Sequence, residues 1–192
     1  MSEWRLFIAI ELPEPIKDAL RAAQQQLRHG NPPVKWVAPE AMHLTLQFLG
    51  ATDTSLVEPI GTALRQALAD HTPCELRLGQ PGAFPNARRP SVLWVGVGGA
   101  TAALEQIQRS IGTALEPFGF VPETRPFRAH LTIGRVRRDA SPAQQAQLGS
   151  MLADVSPPPA LAWRVTAVTL FQSELGGEGP RYTARDTVAL DG

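Results

Sequence analysis

The chain has 192 residues, 43% of them hydrophobic, with 18 basic and 18 acidic side chains. That length suits one large domain or two small lobes sharing a core, and the apolar content argues against disorder. Zero net charge counts against a protein that wraps long nucleic acid by neutralising its phosphates. No apolar run approaches the ~18–20 residues of a membrane span, and Met1–Ile10 lacks the pattern of a secretory signal. Cys74 stands alone, so no internal disulfide forms. This fits a reducing cytoplasm, and a multi-cysteine zinc site is not expected.

In chain order, Trp4–Leu12 is rich in β-formers and stops at Pro13, which predicts a buried strand. Pro13 and Pro15 then open a helix to about His29, with Ile16, Ala19, Leu20, Ala23 and Leu27 on one face and Gly30 as its stop. Val34–Val37 and His43–Leu49 predict strands, the second closed by Gly50. Asp53 or Thr54 caps a second helix carrying Val57, Ile60, Leu64 and Leu68. Cys74–Leu78 and Ser91–Val97 predict strands separated by a turn-rich stretch, Gly79–Pro90. A third helix holds Leu104, Ile107, Ile111, Leu115 and Phe118 and ends at Gly119. Phe127–Val136 predicts a strand and Pro142–Leu152 a helix. The stiff connector Pro157–Pro159 follows, and Leu161–Gln172 and Tyr182–Leu190 predict the last strands. Helices mixed with hairpin-like strands, without a steady βαβ rhythm, predict an α+β fold with largely antiparallel sheets.

One repeat carries chemistry. His43-Leu-Thr-Leu and His130-Leu-Thr-Ile lie 87 residues apart, at similar points in each half, and each is followed by a glycine, Gly50 or Gly134. Such a repeat suggests two lobes related by a pseudo-two-fold axis. Side chains two apart in a strand share a face. His43 therefore sides with Thr45, and His130 with Thr132, while Leu44, Leu46, Leu131 and Ile133 turn to the core. Two imidazoles and two hydroxyls on one floor suit phosphodiester hydrolysis. One histidine takes the proton of the attacking oxygen and the other supplies one to the leaving oxygen. Thr45 and Thr132 would donate to the non-bridging oxygens, and a nearby arginine would balance charge. Arg135 is that arginine only if a bulge or bend at Gly134 turns it to the face of His130. It belongs to a cluster, Arg125, Arg128, Arg135, Arg137 and Arg138, suited to phosphate. No metal is required. A site in which the two histidines bind a metal is the rival reading, but no carboxylate flanks either motif at i±2. His29 and His71 fall at helix ends and are expected on the surface.

These residues resemble the bacterial and archaeal RNA 2′,3′-cyclic phosphodiesterases, also called LigT-like 2′-5′ RNA ligases, of the 2H phosphoesterase superfamily. The resemblance runs through Arg5–Pro13, Trp36-Val37, His43–Gly50, Val92–Val97, Phe127–Arg135, Leu170–Ser173 and Gly179–Tyr182. It departs at Ala129, where the family often has proline. The resemblance implies a single bilobal domain over residues 1–192, with two sheets around a central cleft and helices outside. It implies metal-independent hydrolysis of RNA 2′,3′-cyclic phosphate ends to 2′-phosphates, with no cofactor. His43 would be the proton donor to the leaving 3′ oxygen, and His130 the acceptor that activates water. With a 5′-hydroxyl in place of water, the same site would join RNA ends through a 2′-5′ bond.

Phe48, Phe84 and Tyr182 are candidates to stack on a base, core packing being the alternative for each. Arg88 and Arg89 could track an RNA backbone or be solvated loop charges. The expected partner is RNA with cyclic phosphate ends, tRNA fragments among them. No membrane is involved, and a cytoplasmic monomer is expected. Two other readings compete: the same chemistry on a small cyclic nucleotide, an ADP-ribose cyclic phosphate or a 2′-5′ oligonucleotide, and a non-catalytic module that binds RNA ends.

Overall fold

The chain visits two antiparallel sheets in an order that interlocks them. The computed structural model describes residues 2–122, 126–176 and 179–192. Its elements are β1 (Glu3–Glu11), α1 (Glu14–Leu27), β2 (Val34–Trp36), β3 (His43–Asp53), α2 (Val57–Leu68), β4 (Cys74–Phe84), β5 (Val92–Gly99), α3 (Thr101–Leu115), β6 (His130–Val136), α4 (Pro142–Asp154), β7 (Ala162–Val165), β8 (Ala167–Gly176) and β9 (Gly179–Ala189). The first sheet has the order β3-β1-β8-β9 and the second β2-β6-β5-β4-β7. Every pairing is antiparallel.

Laid side by side, the two orders reveal the duplication. β3-β1-β8-β9 corresponds to β6-β5-β4-β7, with β2 added outside β6. Each half runs strand, helix, motif strand, helix: β1-α1-β3-α2 and then β5-α3-β6-α4. The strand after α2, β4, pairs with β5 of the second half, and β8 returns to pair with β1 of the first. Each half therefore completes its sheet with a strand lent by the other.

Local chemistry accounts for the helices. Pro15 opens α1, whose missing amide hydrogen costs nothing in a first turn. Ser141 and Gln144 form a reciprocal capping box at the start of α4. Gly119, at φ 86°, takes the left-handed cap beyond α3 after the 3-10 turn Glu116–Phe118. The buried faces of the first three helices join the strands' inner faces in one continuous apolar cluster. Among the described residues no helix is long and apolar enough to cross a membrane.

Several boundaries differ from the sequence reading. Leu161–Gln172 is two strands rather than one, because the chain leaves the second sheet after Val165 and enters the first at Ala167. The stretch Gly79–Phe84 is not a turn but the second part of β4. Gly82 lies beneath the Trp94 ring, and Gly79 lies against the Gly96 carbonyl, so missing side chains there serve close packing. Gly50 does not close a strand either. It sits inside β3 at φ 73°, beside a register shift that leaves Leu49 without a partner. β6 begins at His130, later than the expected Phe127.

Leu44 and Leu131 are 1% and 0% exposed behind their motif histidines, packed in the same cluster. Truncating either to alanine should cost about 2–5 kcal/mol of unfolding free energy in a denaturant titration. A cost below about 1 kcal/mol would mean that the motif strands are not anchored in the core.

Candidate active site

His43 and His130 each open a motif strand, and the backbone holds both rings in the same way. The Nδ1 of His43 lies 2.9 Å from the Ala41 carbonyl, and that of His130 lies 2.6 Å from the Arg128 carbonyl. A carbonyl oxygen only accepts, so Nδ1 must carry the hydrogen in each ring. Nε2 is left free to accept or donate, a lone pair in the neutral ring and a donor in the cation.

Beyond the histidines, each motif strand departs from simple alternation at the same place. In the β1–β3 ladder Ala9 faces Thr45 and Ile8 faces Gln47, so Leu46 is an extra residue. In the β5–β6 ladder Trp94 faces Thr132 and Leu93 faces Gly134, so Ile133 is the extra residue. A bulge turns two consecutive residues to one side and reverses the phase of all that follow. The sixth residue of each motif, Phe48 or Arg135, thereby joins the face of its histidine and threonine. The bulge that Arg135 needs is present, and its extra residue is Ile133, the neighbour of Gly134. The glycines after the two motifs are not equivalents: Gly134 corresponds to Gln47, and Gly50 lies three residues farther along.

Phe48 is 70% exposed, which removes core packing as its role. Rings surround each imidazole. His43 lies 4.7 Å from Phe7 and 5.2 Å, edge-on, from Tyr182. Tyr182 is on β9, at the opposite edge of that sheet, so the sheet must curl to bring the two together. His130 lies 5.0 Å from Phe84 at 90° and 6.3 Å from Trp94. Thr45, Thr132, Phe48, Phe84, Tyr182 and Arg135 thus all take places on the two faces that carry the histidines. Phe7 and Trp94 were missed by the sequence reading. Both belong to strands apolar on either face, where alternation does not distinguish a core side from a site side.

β3 and β6 are in contact. Burial lowers the pKa of His43, and the positive charge of Arg135 lowers it further, while its bond to the Ala41 carbonyl opposes the shift. Burial raises the pKa of Tyr182, and Arg135 opposes that shift. An arginine from the second motif therefore acts on two groups of the first sheet. Among the described residues, no carboxylate forms an ion pair with Arg135.

Outside this centre, Arg88 and Arg89 are exposed in the β4–β5 turn, where their amides donate to Asn86 Oδ1. Arg128, Arg137 and Arg138 are also exposed, and Arg125 lies outside the described residues. His29 is exposed as expected, but His71 is half-buried, its Nε2 2.9 Å from Ser110 Oγ. Among the described residues no three His, Cys, Asp or Glu side chains converge as a metal site.

Two pseudo-symmetric sheets, each presenting a His-x-Thr-x strand, define a phosphoesterase of the two-histidine class. The family model of the 2′-5′ RNA ligase superfamily matches residues 12–177, and the chain belongs to that family. It is 32% identical over 186 residues to an RNA 2′,3′-cyclic phosphodiesterase of Methanothermobacter thermautotrophicus, covering 97% of this chain and 98% of that protein. It is 32% identical over 163 residues to a protein of the same name from Aeropyrum pernix, covering 85% and 90%. The crystal structure of TT0787 from Thermus thermophilus superimposes with a TM-score of 0.79 at 31% identity, covering 98% of each chain. That of E. coli LigT complexed with 3′-AMP superimposes with a TM-score of 0.79 at 23% identity over the whole of both chains, a likeness of fold.

The direction of the His43 shift can be measured. In an NMR titration its Cε1–H midpoint should fall below the ordinary imidazole value of about 6.5, and Arg135→Ala should raise it. A midpoint unmoved by that substitution would separate the two groups.

Proposed function

We propose that this protein hydrolyses RNA 2′,3′-cyclic phosphate ends to 2′-phosphates by acid–base catalysis between His43 and His130, with the whole of residues 1–192 as the functional unit. The observation that carries the reading is the matched pair of imidazoles. Each has Nδ1 committed to a main-chain carbonyl two residues earlier, which leaves Nε2 for proton transfer.

In this mechanism His130 Nε2 accepts a proton from water as the water oxygen attacks phosphorus. The P–O3′ bond breaks, and His43 Nε2 delivers a proton to the departing 3′ oxygen. Phosphorus stays on the 2′ oxygen. Thr45 and Thr132 donate to the non-bridging oxygens, and Arg135 balances the charge that grows on them. A 5′-hydroxyl attacking in place of water would yield a 2′-5′ linkage by the same transfers.

The lowered pKa of His43 bears on its part as the acid. In the free protein a buried imidazole near Arg135 favours the neutral form. An arriving phosphate anion offsets the guanidinium charge and favours the imidazolium, so His43 would take up its proton together with the substrate. The exposed Phe48 ring and the Tyr182 and Phe84 rings are proposed to stack on the terminal bases.

The test uses an RNA oligomer ending in a 2′,3′-cyclic phosphate, with excess EDTA. Wild type should release a 2′-phosphate, while His43→Ala and His130→Ala should each lose roughly 10²–10⁴-fold in rate. Activity abolished by EDTA would favour the metal reading. Inactivity toward RNA, with turnover of a small cyclic nucleotide, would move the substrate class. Tight binding of RNA ends without turnover would make the protein a binding module.

A further inference from the structure

A polar side chain buried on the far side of the motif strand is unaccounted for by this chemistry. Gln24, on α1, is 1% exposed. Its Nε2 lies 2.7 Å from the Val37 carbonyl and 2.7 Å from the Ile133 carbonyl. Ile133 is the extra residue of the β6 bulge, and its carbonyl also accepts from the Val37 amide at 3.1 Å. Both hydrogens of the Gln24 amide are thus spent on the chain at the point where β6 changes phase.

The other half arranges the matching positions differently. The buried positions of α1, Ile16, Ala19, Leu20, Ala23, Gln24 and Leu27, share their spacing with Leu104, Ile107, Gln108, Ile111, Gly112 and Leu115 of α3. Gln24 then matches Gly112. In the strands, Gln47 matches Gly134. A Cβ on Gly112 would lie 3.7 Å from Gln47 Oε1, so at the β3 bulge the amide stands on the strand and the glycine on the helix, and that oxygen is buried with no hydrogen-bond partner among the described residues. At β6 the amide comes from the helix and the glycine from the strand. The extra strand β2 explains the exchange: a Cβ at Gly134 would lie 2.7 Å from Val34 Cγ1 and 3.1 Å from the Trp36 ring. Among the described residues β3 is an edge strand with no such neighbour, and there the strand carries a side chain.

We propose that Gln24 is a positioning residue of the active site, holding the Ile133 bulge so that Arg135 stays on the face of His130 and Thr132. It touches no substrate. Without its amide, the part-buried Val37 carbonyl and the buried Ile133 carbonyl each lose a donor, and β6 loses a tie that opposes its return to regular alternation, which would turn Arg135 away from the site. This rests on the phosphoesterase reading for its effect on rate, though not for its effect on the strand.

Gln24→Met keeps the length of the side chain and removes the donors. On cyclic phosphate RNA it should lose roughly 10- to 100-fold in kcat/KM, the scale of a displaced catalytic group. In an Arg135→Ala background the same substitution should cost less than about twofold, because the group it positions is gone. Losses that multiply in the double variant, or full activity in folded Gln24→Met, would overturn the proposal. The crystal structure of Gln24→Met supplies a readout independent of turnover. It should show Ile133 or Arg135 displaced; a retained bulge with Arg135 in place would overturn the idea even if the wild type proved inactive on RNA. Gln24→Glu serves if the methionine variant does not fold. One donor remains while its carboxyl is protonated, so it should lose activity more steeply than wild type as pH rises, and a wild-type profile would count against the role.

Discussion

A β-strand alternates its side chains, and a site assembled from residues 1, 3 and 6 of a strand violates that alternation. His130, Thr132 and Arg135 share a face only because Ile133 is an extra residue in the ladder with β5. His43, Thr45 and Phe48 share theirs only because Leu46 is extra in the ladder with β1. The bulges place Leu46 and Gln47, and likewise Ile133 and Gly134, toward the core, so the strands change phase without losing their buried backing. Helix packing, the Gly134 contact with β2 and the Gln24 amide all meet at this irregularity.

The interlocked sheets give the irregularity a rigid setting. Because β4 pairs with β5 and β8 pairs with β1, neither half completes its sheet alone. α1 also packs on β6, and α3 packs on β3. Each helix thus supports the motif strand of the opposite half. The proposed action of two imidazoles on one phosphorus requires a fixed separation, and this exchange of elements ties the two motif strands into one apolar cluster.

The fold is nearly symmetric, but its chemistry is not. The sixth position is an exposed aromatic ring in one motif and a guanidinium in the other. Burial and Arg135 lower the pKa of His43. The first sheet surrounds its imidazole with Phe7 and Tyr182, while the second offers Phe84, Trp94 and the charge. The proposed substrate, with a base at one end and a phosphate at the other, has a polarity of the same kind as this difference between the halves.

The motif residues were legible in the sequence because they obey a local rule. Period-two spacing puts His43 beside Thr45 and His130 beside Thr132, and the repeat announces the duplication. Helical spacing located α1, α2 and α3 for the same reason, with glycine stops for α1 and α3 and a cap at Asp53 or Thr54 for α2. The need for a bulge beside Arg135 could also be stated, since ordinary alternation would turn that side chain away. Other features depend on neighbours distant in the chain. The break between β7 and β8 follows from which sheet has room for each strand, and Gly79 and Gly82 belong to a strand because other groups fill their side-chain space. Phe48 reads as core by alternation and is exposed through a bulge, and Tyr182 reaches His43 only through the curl of a whole sheet. Sequence by itself determined the candidate reacting groups and their local neighbours on each strand face, because those follow from backbone periodicity. Tertiary structure alone decided which way the sixth residues point and which rings surround each histidine, because pairing register and packing are set by strands far apart in the chain.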